Sequence, residues 1–145
     1  MKTYKSPIIS LFPNQIAVCG TNTQGRHGKG AALWCRLNAG LKYGHKLGLC
    51  NQSYGIITKD LTKQIHPSIS KADIVLQIAL LYTHAENTPN KEYLIMYTDH
   101  SNLNSYTPED MAKMFKGRLD ICSTNCYNIP SNIVFEESFA KLLNY

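Results

Sequence analysis

Apolar runs that alternate with helical patterns are the feature that most limits how this chain can fold. Several of the runs are continuous, with no apolar–polar alternation, which is typical of strands covered on both faces. The runs lie at 7–12, 15–20, 53–58, 93–98 and 132–135. Helical patterns lie at 30–39, 70–86, from Thr107 onward and at 136–143. Strands separated by helices predict an α/β fold of three α/β/α layers around a mixed, mostly parallel sheet.

The helical patterns also predict which side chains are buried and where the helices begin. Thr107 can cap the third helix, and Pro108 suits its first position. The predicted inward faces of the last three helices consist of Ile74, Val75, Ile78, Leu81, Tyr82 and Ala85, then Met111, Met114 and Phe115, then Phe139, Leu142 and Leu143. The stretch 118–132 has no periodicity and is predicted to be a loop.

Length and composition indicate one globular domain spanning residues 1–145. Hydrophobic residues make up 43% of the chain and charged residues 17%, which is a globular balance. A chain of this length can bury roughly two-thirds of its unfolded surface, so we expect it to fold without disulfides, metal or cofactor. The five cysteines show no ligand-like spacing and are expected to be reduced thiols: Cys19, Cys35, Cys50, Cys122 and Cys126.

The charge of the chain favours a small anionic partner. Lys and Arg number 15 against 10 Asp and Glu, for a net charge of +5. That excess is too small and scattered for a nucleic-acid binder. No apolar stretch approaches ~18 residues, so no membrane span is predicted. Pro7 and Pro13 bracket too short an apolar stretch for a signal peptide, and the expected location is the cytoplasm. Homo-oligomerisation is left open.

A glycine-rich and basic loop, CGTNTQGRHGKGAA at 19–32, joins the second predicted strand to the first predicted helix. The exposed N–H groups of a helix N-terminus attract anions, and glycines let a phosphate approach the backbone. The spacing Gly25-x-x-Gly28-x-Gly30 fits neither the dinucleotide fingerprint nor the P-loop. The alternative interpretation is a turn whose glycines only satisfy positive φ angles. At the end of the next strand, Thr58-Lys59-Asp60 adds a hydroxyl, a cation and a carboxylate at the same sheet edge, if the strands are parallel.

Four motifs together give the chain a resemblance to a known family. They are Gly20-Thr-Asn22, Gly25-Arg-His-Gly-Lys-Gly-Ala-Ala32, Gly48…Asn51-Gln-Ser-Tyr54…Thr58-Lys-Asp60, and Tyr106-Thr-Pro-Glu-Asp-Met-Ala-Lys-Met-Phe115. In this order they resemble a phage and bacterial branch of the macrodomains, over residues 15 to 143. The resemblance implies an α/β/α module that binds ADP-ribose or its derivatives. Some members hydrolyse ADP-ribose 1″-phosphate or remove ADP-ribose from proteins, and others only bind.

The resemblance also implies two groups of ligand-binding residues. The first group surrounds the glycine loop: Gly20, Thr21, Asn22, Gly25, Arg26, His27, Gly28, Lys29 and Gly30. The second group lies near later strands: Gln52, Ser53, Thr58, Asp99, His100, Ser101 and Asn102. If the protein is an enzyme, His27 and Asn22 are the expected catalytic residues. No metal ligands are expected.

One segment departs from the family pattern. Where the branch usually has a second glycine-rich phosphate loop, of the kind Gly-Cys-Gly-Leu-x-Gly, this chain has Asp99-His-Ser-Asn-Leu-Asn-Ser-Tyr106. Side chains would there replace backbone donors, or the pocket would serve another ligand. We therefore expect a protein that binds an ADP-ribose or NAD-derived nucleotide, and that sequesters a (cyclic) ADP-ribose immune signal in phage counter-defence. The alternatives are an ADP-ribose 1″-phosphatase or ADP-ribosyl hydrolase, and a protein-interaction domain with a degenerate pocket.

Overall fold

The computed structural model describes residues 2–101, 104–117 and 129–143. Its strands are β1 (Thr3–Tyr4), β2 (Gln15–Asn22), β3 (Gly48–Cys50), β4 (Ser53–Lys59), β5 (Glu92–Ile95) and β6 (Ile133–Glu136). Its helices are α1 (Gly30–Asn38), α2 (Lys71–Glu86), α3 (Pro108–Phe115) and α4 (Glu137–Leu142). Asn102, Cys122, Cys126 and most of the predicted 118–132 loop lie outside the described residues.

The described strands form a single six-stranded sheet in the order β1-β6-β5-β2-β4-β3. All neighbours are parallel except β3, which is antiparallel to β4. The predicted mixed, mostly parallel α/β sheet is therefore confirmed. The first long strand, β2, lies inside the sheet, with β5 on one side and β4 on the other.

Alternate residues of β2 divide the interior into two clusters. Ile16 and Val18 pack with α2, α3 and α4, whereas Ala17 and Cys19 pack with α1. Because successive strand side chains point to opposite faces, α1 covers one face and the other three helices cover the opposite face. The chain thus has the expected three layers. The buried residues on the α1 side are mostly alanine and cysteine.

The inward faces predicted for the helices match the structure closely. The six predicted side chains of α2 are all buried, as are Met111, Met114 and Phe115 of α3. Phe139 and Leu143 are fully buried, and Leu142 packs against them from a half-buried position. The Thr107 hydroxyl accepts the Asp110 N–H at 3.1 Å, with Pro108 at the first helical position, as the sequence predicts.

Two strand predictions were wrong, and two short strands, β1 and β3, were not predicted. Residues 7–12 form no strand, and Ile9 and Phe12 are 88% and 71% exposed. Pro7 removes a backbone donor there, and the edge position beside β6 is taken instead by the two-residue β1. β3 was not predicted, because three residues with Gly48 and a turn at 51–52 carry almost no periodic signal. β5 ends at Ile95, so that 96–98 continue without strand pairing.

A glutamine side chain closes the exposed edge of β4. β3 pairs with β4 only over Ser53 to Gly55. Further along, the Gln77 side chain of α2 accepts the Ile57 N–H at 2.7 Å and donates to the Ile57 carbonyl at 2.8 Å. The two backbone groups that an additional strand would use are therefore already satisfied.

The side chain of Asn132, just before β6, forms hydrogen bonds to three backbone carbonyls. The Asn132 amide group donates to the carbonyls of Ala85, Thr88 and Lys91, at 2.9, 3.2 and 3.0 Å. These carbonyls belong to the end of α2 and the turn into β5, so one side chain fixes the junction of α2, β5 and β6.

We predict that Asn132→Ala lowers the free energy of unfolding by about 1–3 kcal/mol, since it leaves the Lys91 carbonyl without a donor and removes one of the donors to the Ala85 and Thr88 carbonyls. The measurement is urea denaturation. Asn90→Ala, an exposed change in the same turn, is the matched control and should stay within about 0.5 kcal/mol of wild type. Equal midpoints for the two variants would contradict this role.

Candidate ligand-binding site

The sheet has a crevice at its carboxyl edge, where the direction of the chain reverses. From β2 the chain continues through α1 to β4 on one side, whereas β5 and β6 lie on the other side. The β2–β5 pairing ends at Val18 and Ile95, with a last bond of 2.9 Å from the Met96 N–H to the Val18 carbonyl. Ligands of open α/β sheets collect at such a switch point, outside the carboxyl ends of the strands.

A cavity of about 600 Å³ fills this crevice. Its volume is in the range of small-molecule and cofactor sites. Its lining comes from the end of β2, the glycine loop, the start of α1, the end of β4 and the segment after β5. The lining residues are Gly20, Thr21, Asn22, Arg26, Gly28, Lys29, Gly30, Ala31, Ala32, Thr58, Lys59, Leu61, Met96, Tyr97, Thr98, His100, Ser101 and Asn104.

The glycine loop presents unpaired backbone donors to this cavity. Among the described residues, nothing accepts a hydrogen bond from the N–H groups of residues 28 to 32, all of which line the cavity. The N-cap residue Lys29 makes no side-chain cap. Consecutive free N–H groups at a helix N-terminus carry partial positive charge and suit an anion.

Asn22 fixes the shape of that loop. A bulge between Thr21 and Asn22 shifts the register against β4, and such bulges change the direction of a side chain. The Asn22 carboxamide oxygen accepts the N–H groups of Gln24 and Arg26, at 3.2 and 3.0 Å, and its NH₂ donates to the Arg26 carbonyl at 2.7 Å. Asn22 lines the cavity as predicted, but its polar atoms serve the loop.

The electrostatics of the cavity favour a negative ligand. Arg26, Lys29 and Lys59 line it, and none of them forms an ion pair with another described residue. No carboxylate belongs to the lining within the part of the chain that the structure describes. Asp60 turns away, and hydrogen bonds from Thr62 and Thr23 hold its pKa below the usual range. The positive charge of the lining and its free N–H donors thus both favour an anionic ligand.

The floor of the cavity is a buried cluster of polar groups beneath Gly20. A methyl group at Gly20 would lie 2.9 Å from the Tyr97 hydroxyl and 3.0 Å from Thr58 Oγ1, so only glycine fits this approach. Tyr97 also bonds Asn104, and burial raises the pKa of its hydroxyl. That hydroxyl therefore stays protonated near neutral pH and keeps its proton to donate.

His27 does not line the cavity. Its side chain is fully buried behind the glycine loop, and its Nε2 lies 2.8 Å from the His45 carbonyl. Because a carbonyl only accepts, Nε2 is the atom that carries the proton. The structure thus places this predicted catalytic imidazole out of contact with a ligand in the cavity. Gly25 is also buried, behind the loop, and contributes no lining surface.

The placement of Gln52 and Ser53 near the ligand was wrong. β4 starts at Ser53 and runs parallel to β2, so these residues lie at the amino edge of the sheet, opposite the cavity. The Gln52 amide donates to the carbonyls of Phe12 and Gln15, and the Ser53 hydroxyl donates to the Cys50 carbonyl at 2.7 Å. Both side chains hold the ends of strands together. Thr58, six residues beyond Gln52, does line the cavity.

The described part of the segment 99–106 contributes to the rim of the cavity. His100 and Ser101 line it, whereas Asp99 does not. His100 Nδ1 lies 3.0 Å from the Asp99 carboxylate, and this bond lowers the pKa of Asp99. Both side chains are largely exposed, at 84% and 54%. Two polar side chains, those of His100 and Ser101, therefore face this part of the cavity.

Several lining residues were missed in the prediction of the site. They are Ala31, Ala32, Leu61, Met96 and Thr98. The first turn of α1 could have been found, since residues after a phosphate-binding loop supply the helix N–H groups. Leu61 and Met96 could not have been predicted as lining residues, because apolar residues beside strand ends are usually expected in the core.

No protein-family model, curated protein or solved structure matches this chain. Among the described residues, no helix is both long and apolar enough to cross a membrane, and no group of three or more His, Cys, Asp or Glu side chains could hold a metal ion. Cys19, Cys35 and Cys50 are free thiols.

We predict that alanine substitutions at two glycines of the same loop differ in their effect on stability. Gly25 has φ of +65°, and an added Cβ would lie 2.5 Å from the backbone of Gly44. Gly25→Ala should therefore destabilise the fold by about 2–4 kcal/mol, through strain and overlap together. At Gly28 an added Cβ meets no atom within 4 Å, so Gly28→Ala is the control and should leave the melting temperature near that of wild type. Similar losses in both variants would contradict the geometry.

Proposed function

We propose that this protein binds an ADP-ribose-type nucleotide, with the diphosphate at the N-terminus of α1. The observation that carries the proposal is the row of five unpaired N–H groups, from residue 28 to residue 32, that opens on a cavity lined by cations. A diphosphate needs several donors in one place, and a helix N-terminus following a glycine-rich loop supplies them without side-chain ordering. The macrodomain resemblance of the loop motifs supports the same ligand.

The rest of the cavity suits the nucleoside parts of such a ligand. Ala31, Ala32, Leu61 and Met96 form apolar surface, and the hydroxyls of Thr98 and Ser101 lie beside them. Apolar surface with a few convergent polar groups is the usual lining of a nucleotide or cofactor site. Arg26 and Lys29 lie in the loop and Lys59 at the end of β4, so a bound anion would have cations on more than one wall.

Binding is better supported than turnover. A hydrolase needs a positioned base and a water. Among the described residues, the lining has no carboxylate, His27 is buried behind the loop, and Asn22 is engaged in holding it. The imidazole that does line the cavity, that of His100, is 84% exposed at the rim and lies against the Asp99 carboxylate. We therefore propose that the protein sequesters its nucleotide, and that in a phage this would withdraw a (cyclic) ADP-ribose immune signal. The altered 99–106 segment motivates this choice of ligand.

We predict that isothermal titration calorimetry detects binding of ADP-ribose or a cyclic isomer at micromolar concentration. Arg26→Ala and Lys29→Ala should each weaken binding about 5- to 30-fold, corresponding to roughly 1–2 kcal/mol per lost charge-assisted contact. Lys113→Ala removes an exposed cation from α3, on the opposite face of the sheet, and should have no effect. If no isomer binds, the proposal is wrong.

Gly28→Asp gives a sharper test of the helix N-terminus. A carboxylate at this position should favour the helix dipole, so that the fold is retained. It would also occupy the anion site and repel phosphate, and we expect binding to fall more than 100-fold. Gly28→Asn, of nearly equal size and without charge, is the control and should lose much less. Equal losses would indicate that crowding rather than charge is responsible.

Product analysis separates the sequestering role from the hydrolase alternative. After binding and heat denaturation, a sequestering protein releases its ligand chemically unchanged, whereas an enzyme returns a cleaved nucleotide. A protein-interaction domain would show no nucleotide-dependent rise in melting temperature. A saturating ligand at 100 times its Kd should stabilise the fold by about 2.7 kcal/mol.

A further inference from the structure

His27 has an unusual environment for an imidazole in a loop that follows a strand. It is fully buried, and its Nε2–H donates to the His45 carbonyl at 2.8 Å. Its other nitrogen, Nδ1, is buried and has no hydrogen-bond partner among the described residues. A buried polar atom without a partner is costly, so its retention needs a reason other than stability alone.

The bond of His27 joins the glycine loop to a second segment, residues 43–46, which we term the bracing segment. The Gly44 N–H donates to the Gly25 carbonyl at 2.9 Å, and the Thr21 hydroxyl donates to the Lys46 carbonyl at 2.5 Å. His45 Nε2 in turn lies 2.9 Å from the Gly48 carbonyl, at the start of β3. The glycine loop is thus held from behind by a segment that does not line the cavity.

The bracing segment also reaches the protein surface. The Tyr43 ring stands edge-on to the His27 ring, with centroids 6.0 Å apart, and it is 64% exposed. The Arg36 guanidinium, from the last turn of α1, lies 5.6 Å from the centre of the Tyr43 ring. A continuous set of contacts therefore runs from the exposed Arg36–Tyr43 pair through His27 to the loop that presents the free N–H groups.

We propose that His27 is a positioning residue that couples the exposed Arg36–Tyr43 pair to the ligand loop. By holding the loop from behind, it keeps the N–H groups of residues 28 to 32 directed at the cavity. A change at the surface pair then changes ligand affinity without touching the ligand, and, by linkage, a bound ligand makes the bracing segment more rigid. The affinity part of this inference rests on the proposed nucleotide binding, and the ordering of the loop does not.

Hydrogen exchange on the ligand-free protein tests the coupling directly. His27→Phe keeps the ring edge for Tyr43 and loses the bond to His45, whereas His27→Gln keeps a donor near the position of Nε2. We expect His27→Phe and Tyr43→Ala to raise exchange more than tenfold at the hydrogen-bonded amides of Gly25, Arg26 and Gly44, with β2 and α2 unchanged and with recovery in His27→Gln. Leu80→Ala, which removes a comparably exposed apolar side chain from α2, is the control and should not alter the loop.

Two further measurements complete the test. Nitrogen NMR of the imidazole should find the proton on Nε2 in wild type. With ADP-ribose, Tyr43→Ala should weaken binding about tenfold at an unchanged melting temperature. Unchanged loop exchange in either His27→Phe or Tyr43→Ala, or a rise shared by the whole core, would overturn the coupling, whatever the nucleotide result. Failure of ADP-ribose to bind wild type, with the exchange pattern as expected, would instead reject the proposed ligand and leave the coupling standing.

Discussion

The site depends on one interruption in the sheet, the end of hydrogen bonding between β2 and β5. Their last bond joins Met96 to Val18, and beyond it the two strands lead to opposite sides of the molecule. The space between them would fill with side chains if β2 continued with bulky residues. Gly20 has no side chain to fill it, and the Tyr97 hydroxyl and Thr58 can therefore lie close to its backbone and form the floor of the cavity. A polar, closely packed floor and an open mouth both follow from that interruption.

The loop above the crevice owes its form to hydrogen bonds as well as to its glycines. Asn22 holds the loop from within, and the bracing segment holds it from behind. Because these side chains and carbonyls satisfy the loop on its inner side, the N–H groups facing the cavity remain free. Such a preorganised arrangement reduces the ordering cost of ligand binding. Asn22 and His27, the two residues expected to be catalytic in an enzyme, both take part in holding this loop.

The sequence predicted the layers and most buried faces, because those depend on periodicity along one segment at a time. All six predicted inward residues of α2 are buried, for example. It did not predict β3, whose pairing with β4 depends on a turn and not on a pattern. The motifs correctly predicted that Arg26 and Thr58 lie at the cavity. Gln52 was expected at the same edge of the sheet, but it precedes β4 and lies at the opposite edge. The direction in which His27 points depends on a contact with residue 45, 18 positions away, which no local pattern records.

Gln77 has a consequence for how this molecule can associate with others. Its carboxamide occupies the N–H and C=O of Ile57, close to the end of β4 that borders the cavity. A second molecule that tried to extend the sheet at this point would first have to displace the glutamine and leave its amide without partners. Extension of the sheet by a second molecule is therefore disfavoured at Ile57.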